Sequence, residues 1–130
     1  MTPANIEAAF GTALVSVVNN ANWPIFPATR DGDVPDDSCV IVRCDQARHV
    51  AGGYYQADVG VSVVSSSLIE GEVATARGIA TAIHTYLRGN PAPVGSGFTV
   101  AGIHVASVSS TEAERRWMQS VQFVCGVAPA

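Results

Sequence analysis

The spacing of apolar residues along the chain alternates between two periods. From Ala4 to Val18, Ile6, Phe10, Leu14 and Val18 recur at i+4, with Ala9, Ala13 and Val15 widening the stripe, which predicts an amphipathic helix. Thr2 is placed to cap it, Pro3 suits its first turn, Glu7 favours the positive end of its dipole, and the Asn19–Asn22 stretch ends it. Residues 23–38 hold prolines at 24, 27 and 35, which rule out a central strand. Trp23, Ile25 and Phe26 should tuck under the domain, while Arg30 to Asp37 should be solvated.

The period then shortens to two. Residues 39–45 (CVIVRCD) predict a buried strand, 46–53 a connection ending in Gly52-Gly53, and 54–65 a second strand. In the second, Tyr55, Ala57, Val59, Val61 and Val63 should face inward, with Tyr54, Gln56, Asp58, Gly60 and Ser62 outward. From Ser67 to Asn90 the helical period returns. Ile69, Val73, Ala76, Ala80, Ile83 and Leu87 form one stripe, with Ser66 or Ser67 as cap, Glu70 and Glu72 in the first turn, and Gly89 and Pro91 as stop signals. Ala76 and Ala80 make the middle of that stripe small enough to approach a flat surface, which the flanking strand-like sequence suggests is a sheet. Residues 98–108 and 115–127 predict two further strands, with a bulge at Gly102 and a polar loop, SSTEAE, between them. In the last, Trp117, Val121, Phe123 and Cys125 share a face, opposite Ser120 and Gln122.

Composition narrows the function classes. With 130 residues and 48% hydrophobic content, a single domain over 1–130 with a real core is expected. No apolar run approaches the roughly 20 residues that span a bilayer, and the N-terminus lacks a signal-peptide pattern. Eleven acids outweigh seven bases, all arginine, for a net charge of −4. That leaves no basic patch for tight nucleic-acid binding. Cys39 and Cys44 stand five apart on one strand and so face opposite ways, and with Cys125 they read as reduced, half-buried thiols.

Candidate chemistry is sparse. His49, His84 and His104 lie on a loop, a helix and a strand, with no metal-ligand spacing. Asp58 on an outward strand position lacks an identified partner, and Cys125 with His104 forms at most a pair on adjacent strands without a third orienting residue. No metal or cofactor site is expected. The charged residues Asp31, Asp33, Asp36 and Asp37, and the group Glu112, Glu114, Arg115 and Arg116, are solvated loop residues on the plain reading and subunit-interface candidates on the functional one. Arginine there can meet a neighbour's carboxylates in a bidentate way.

The order helix, Pro-rich loop, hairpin, helix, hairpin resembles the tail terminator and tail-completion proteins of long-tailed bacteriophages. The resemblance runs through IFPATRDGDVPDDSCVIVRC, YYQADVGVSVVSSS, EGEVATARGIATAIHTYL and ERRWMQSVQFVC, and covers nearly the whole chain. It implies an α+β subunit in the order α-β-β-α-β-β, with an antiparallel sheet of about four strands and both helices packed on one face. It also implies a hexameric ring in the virion neck that caps the tail tube, stops tube polymerisation and joins the head through a head-completion or connector protein. DNA would pass the lumen without tight binding, with no cofactor, enzymatic turnover or membrane involved, after synthesis in the host cytoplasm. The competing readings are another head–tail connector or neck adaptor, and a small cytoplasmic enzyme using Cys125, His104 or Asp58.

Overall fold

The computed structural model describes residues 2–19, 23–27, 38–66, 68, 70–89, 91–95, 97–113 and 115–129. In chain order these form α1 (Pro3–Val18), β1 (Ile25–Pro27), β2 (Cys39–Ala51), β3 (Tyr54–Ser66), α2 (Glu72–Arg88), β4 (Val94–Gly95), β5 (Phe98–Ala113) and β6 (Arg116–Pro129). The strands make one sheet in the order β1-β2-β3-β6-β5-β4. β1 runs parallel to β2, and every other pairing is antiparallel. The sheet curves into a half-barrel that carries the two helices.

The α+β class holds, but the expectation of about four antiparallel strands does not: the sheet is six-stranded and mixed. The two additional strands are three and two residues long and lie in Pro-containing stretches that have no alternating pattern. Backbone pairing makes them. The Val40 amide donates to the Pro24 carbonyl at 2.9 Å, and the Val100 amide to the Pro93 carbonyl at 2.8 Å. Pro24 and Pro27 confine β1 to the margin of the sheet, where a missing donor costs nothing.

The expected strands also run further than their apolar patterns. β2 continues to Ala51 instead of stopping at Asp45, and β5 continues to Ala113 through most of the expected SSTEAE loop. Gln46–Ala51 and Ser109–Glu112 in these extensions are exposed or half-buried, so their side chains read as loop. Their backbones are nevertheless paired along one side by the antiparallel partner. Register shifts fall at Cys44/Gln46 and His49/Ala51 in β2, and at Ala101/His104 and Val105/Ser107 in β5. Gly102 sits in the first β5 shift with φ +66°, a backbone shape that favours glycine, so the anticipated bulge is there.

α1 follows its capping signals. The Thr2 hydroxyl accepts from the Asn5 amide at 3.3 Å, Pro3 opens the first turn, and Asn19 closes the helix in a left-handed conformation at φ 44°. Ile6, Ala9, Phe10, Leu14 and Val18 are buried, but Val15, expected to widen the stripe, is 63% exposed. α2 begins later than expected, at Glu72 after Gly71. Ser66 closes a turn instead of capping the helix, its hydroxyl accepting from the Leu68 amide at 3.2 Å. Ser67, Ile69 and Asn90, included in the expected helix, lie outside the described residues.

Both helices join one core with the same side of the sheet. Val42, Val61 and Val121 align across three strands, as do Cys44, Val59 and Phe123. The Phe10 ring meets Phe123 edge-on at 5.1 Å, and Ala76 and Ala80 are buried at 0 and 2%. Each buried Phe contributes about 1.5–3 kcal/mol through lost apolar contact with water.

Candidate interaction surfaces

The residues with chemical potential are kept apart by the pleat. Cys44 and Cys125 flank β3 on its helix-facing side, opposite Val59 and Ala57. His104 pairs with Val124, one position along β6, and is exposed on the other face, so no Cys125–His104 pair forms. Burial pushes the Cys125 thiol up to about 12, with Cys44 and Asp58 adding to the shift. Burial likewise raises Cys44 to about 11, partly offset by a backbone hydrogen bond at Gln46. All three cysteines are buried, and none is in a disulfide. Cys44 and Cys125, held this far above neutrality, are poor nucleophiles. Asp58 faces outward and stands 3.9 Å from Arg48 in an exposed ion pair. No group of three or more metal-ligating side chains occurs among the described residues.

Glu7 departs most from its sequence reading. It is not in the first turn of α1 and does not serve the dipole. It is 1% exposed, and its carboxylate accepts the backbone N–H of Cys44 at 2.8 Å. A helix side chain thereby occupies a donor on the margin of β2 beyond the reach of β1, which pairs only over Val40–Val42. The signal was in the spacing: Phe10 and Leu14, at i+3 and i+7 from Glu7, place it beside the buried stripe.

The side of the sheet away from the helices has a different chemistry. At its centre Gly60, Ser62, Ser120 and Gln122 adjoin one another across β3 and β6, continued on β5 by Ser107 and Ser109. The Ser62 and Ser120 hydroxyls bond at 2.8 Å. Gln122 lies across Gly60 so closely that a Cβ there would meet its amide nitrogen at 2.7 Å. Charge appears toward the margin, in the exposed Arg43–Asp45 pair at 2.8 Å and the Arg48–Asp58 pair.

Of the interface candidates, Glu112, Arg115 and Arg116 converge at the end of the β5–β6 hairpin. Glu112 is exposed and opposite Trp117, Arg115 occupies the turn at φ 70°, and half-buried Arg116 pairs with Ala113 and Ser66. Just behind them Arg77 stacks over the Trp117 ring at 5.9 Å. Asp31, Asp33, Asp36, Asp37 and Glu114 lie outside the described residues. An open, mainly apolar groove of about 880 Å³ runs between α1 and β1, lined by Glu7, Gly11, Val15, Trp23, Ile25 and Pro27.

No family model matches the sequence, and no curated protein sequence matches it. The fold does have counterparts. A chain from the virion of a native gene transfer agent particle is similar with a TM-score of 0.62 and 17% identity, over 97% of this chain and 95% of that one. A second solved structure is similar with a TM-score of 0.56 and 17% identity, over 96% of this chain and 93% of that one. At these identities the likeness is one of fold.

Proposed function

We propose that this chain is a structural subunit of a phage-like virion, and specifically a tail terminator that assembles as a hexameric ring at the end of the tail tube. The observation that carries the reading is the likeness of fold, over nearly the full length of both chains, to a component of a gene transfer agent virion. The order of elements that resembles tail-completion proteins supports the narrower assignment. In this reading the ring halts tube growth and offers its other side to a head-completion protein. Its work is done by surfaces, without catalytic turnover.

The hairpin end carrying Glu112, Arg115 and Arg116 is the proposed subunit contact, with carboxylates of the neighbour, including Asp31, Asp33, Asp36, Asp37 and Glu114, as partners for the arginines. A net charge of −4 without lysine suits a channel that releases DNA. Electron microscopy of tails made with and without this protein tests the proposal. Capped tails of uniform length that carry a ring of this chain are expected, with overgrown or headless tails in its absence. Tails of normal length that join heads without the protein would refute it. Arg115→Glu should weaken the ring in native mass spectrometry of tail-bound protein while the monomer remains folded.

A further inference from the structure

We propose that the outer margin of β5 over Ser107–Thr111 is a self-association site, where the same segment of a second copy of this chain adds as an antiparallel strand. β4 pairs only with Phe98 and Thr99, and the Val100 amide reaches Pro93. Beyond Val100 no strand among the described residues pairs with that side of β5. After its second register shift β5 becomes regular, and Ser107–Ala113 pairs residue for residue with Arg116–Gln122. Side chains from Ala106 to Glu112 are exposed. The segment Ser107–Thr111 contains neither charge nor proline. An uncharged margin in regular register with free backbone donors and acceptors is a template for another strand.

The opposite margin of the sheet is guarded. β1 covers Val40–Val42 between Pro24 and Pro27, and Glu7 holds the Cys44 amide. Further along, β2 carries two register shifts, the Arg43–Asp45 ion pair and Arg48. An occupant of the β5 margin must be extended, uncharged, free of proline and itself unpaired. The chain's own β5 meets each requirement. Pairing it with itself sets serine, threonine and valine opposite one another, so no like charges face across the seam.

Such a contact joins like surfaces and cannot propagate a cyclic ring, which uses unlike ones. It therefore stands or falls separately from the proposed ring. The test is sedimentation velocity of the purified full chain over a concentration series, together with Ser109→Lys and Ser109→Glu variants. The wild type should form dimers. Each variant alone should lose them, because like charges then face across the seam, and an equimolar mixture of the two should regain them. Unchanged thermal melts establish that the variants are folded, and if a Ser109 variant is not, the swap is repeated with Ser107→Lys plus Thr111→Lys against Ser107→Glu plus Thr111→Glu, since those two positions face each other in the pairing. A wild type that stays monomeric at every concentration, or variants that dimerise like the wild type, would overturn the proposal. Loss of dimers without recovery in the mixture would overturn the like-with-like arrangement.

Discussion

The two sides of the sheet are built from the same strands at alternating positions, yet they follow different rules. One carries Val61, Phe123, Cys125 and Trp117 against two helices, where close packing of apolar volume determines stability. The other carries Gly60, Ser62, Ser120 and Gln122, small or flat groups, with the two serine hydroxyls bonded to each other and the Gln122 amide laid across Gly60. The first side holds the information for folding. The second is cheap to change without unfolding the chain, and so is free to be shaped by whatever lies against it.

The sharpest way to break this contrast is Trp117→Ala. Removing a ring that is 4% exposed should cost about 3–5 kcal/mol in denaturant unfolding. A loss below about 1 kcal/mol would show that Trp117 is not part of the core after all, against the usual cost of such truncations. Next comes Glu7→Ala, which strands the Cys44 amide and should cost about 1–3 kcal/mol. Glu7→Gln retains an acceptor oxygen and should cost less in the same melts. A reversed order would show that the carboxylate does not hold that amide.

The thiols give a pH test with a defined sign. Cys44 and Cys125 rise from 9.0 to about 11 and about 12 in the fold, so above pH 9 the unfolded chain releases protons that the native state keeps. Stability should be unaffected by these groups below pH 9 and fall as pH rises toward 11–12. Cys125→Ala should flatten that alkaline decline. Native Cys125 should also react with a thiol reagent far more slowly than the denatured chain, and rapid labelling would place it outside the core. The smallest effect belongs to the other side: Ser62→Ala combined with Ser120→Ala removes both partners of one hydrogen bond and should shift stability by less than about 1 kcal/mol.

The same contrast explains what could be read from the chain. α1, both hairpins and most of α2 were legible because their apolar residues repeat at 3.6 or 2 and their ends carry Thr2, Asn19 and Gly89. β1 and β4 were not, since a two- or three-residue strand exists through its neighbour's backbone and leaves no period of its own. The end of β5 from Ser109 onward was read as loop because its serines are exposed while β6 supplies its hydrogen bonds. Glu7 was misread because a carboxylate in an amphipathic helix usually belongs to solvent or to the dipole, and only the β2 margin gives it another use. The arginine turn was visible as a charged cluster, but its place at the end of the hairpin depended on β5 reaching Ala113.

The seam between β3 and β6 has a kinetic consequence. Ser62 and Ser120 are 58 residues apart, yet β3 and β6 must align before the sheet has a centre. The β2–β3 and β5–β6 hairpins can each form locally within microseconds, but neither buries the apolar side by itself. The slow event is the encounter of two loose hairpins, with α2 in the connection shortening the search. Substitutions that weaken the seam, or the hairpins formed before it, should therefore slow refolding, whereas those in contacts made only after the encounter should mainly hasten unfolding.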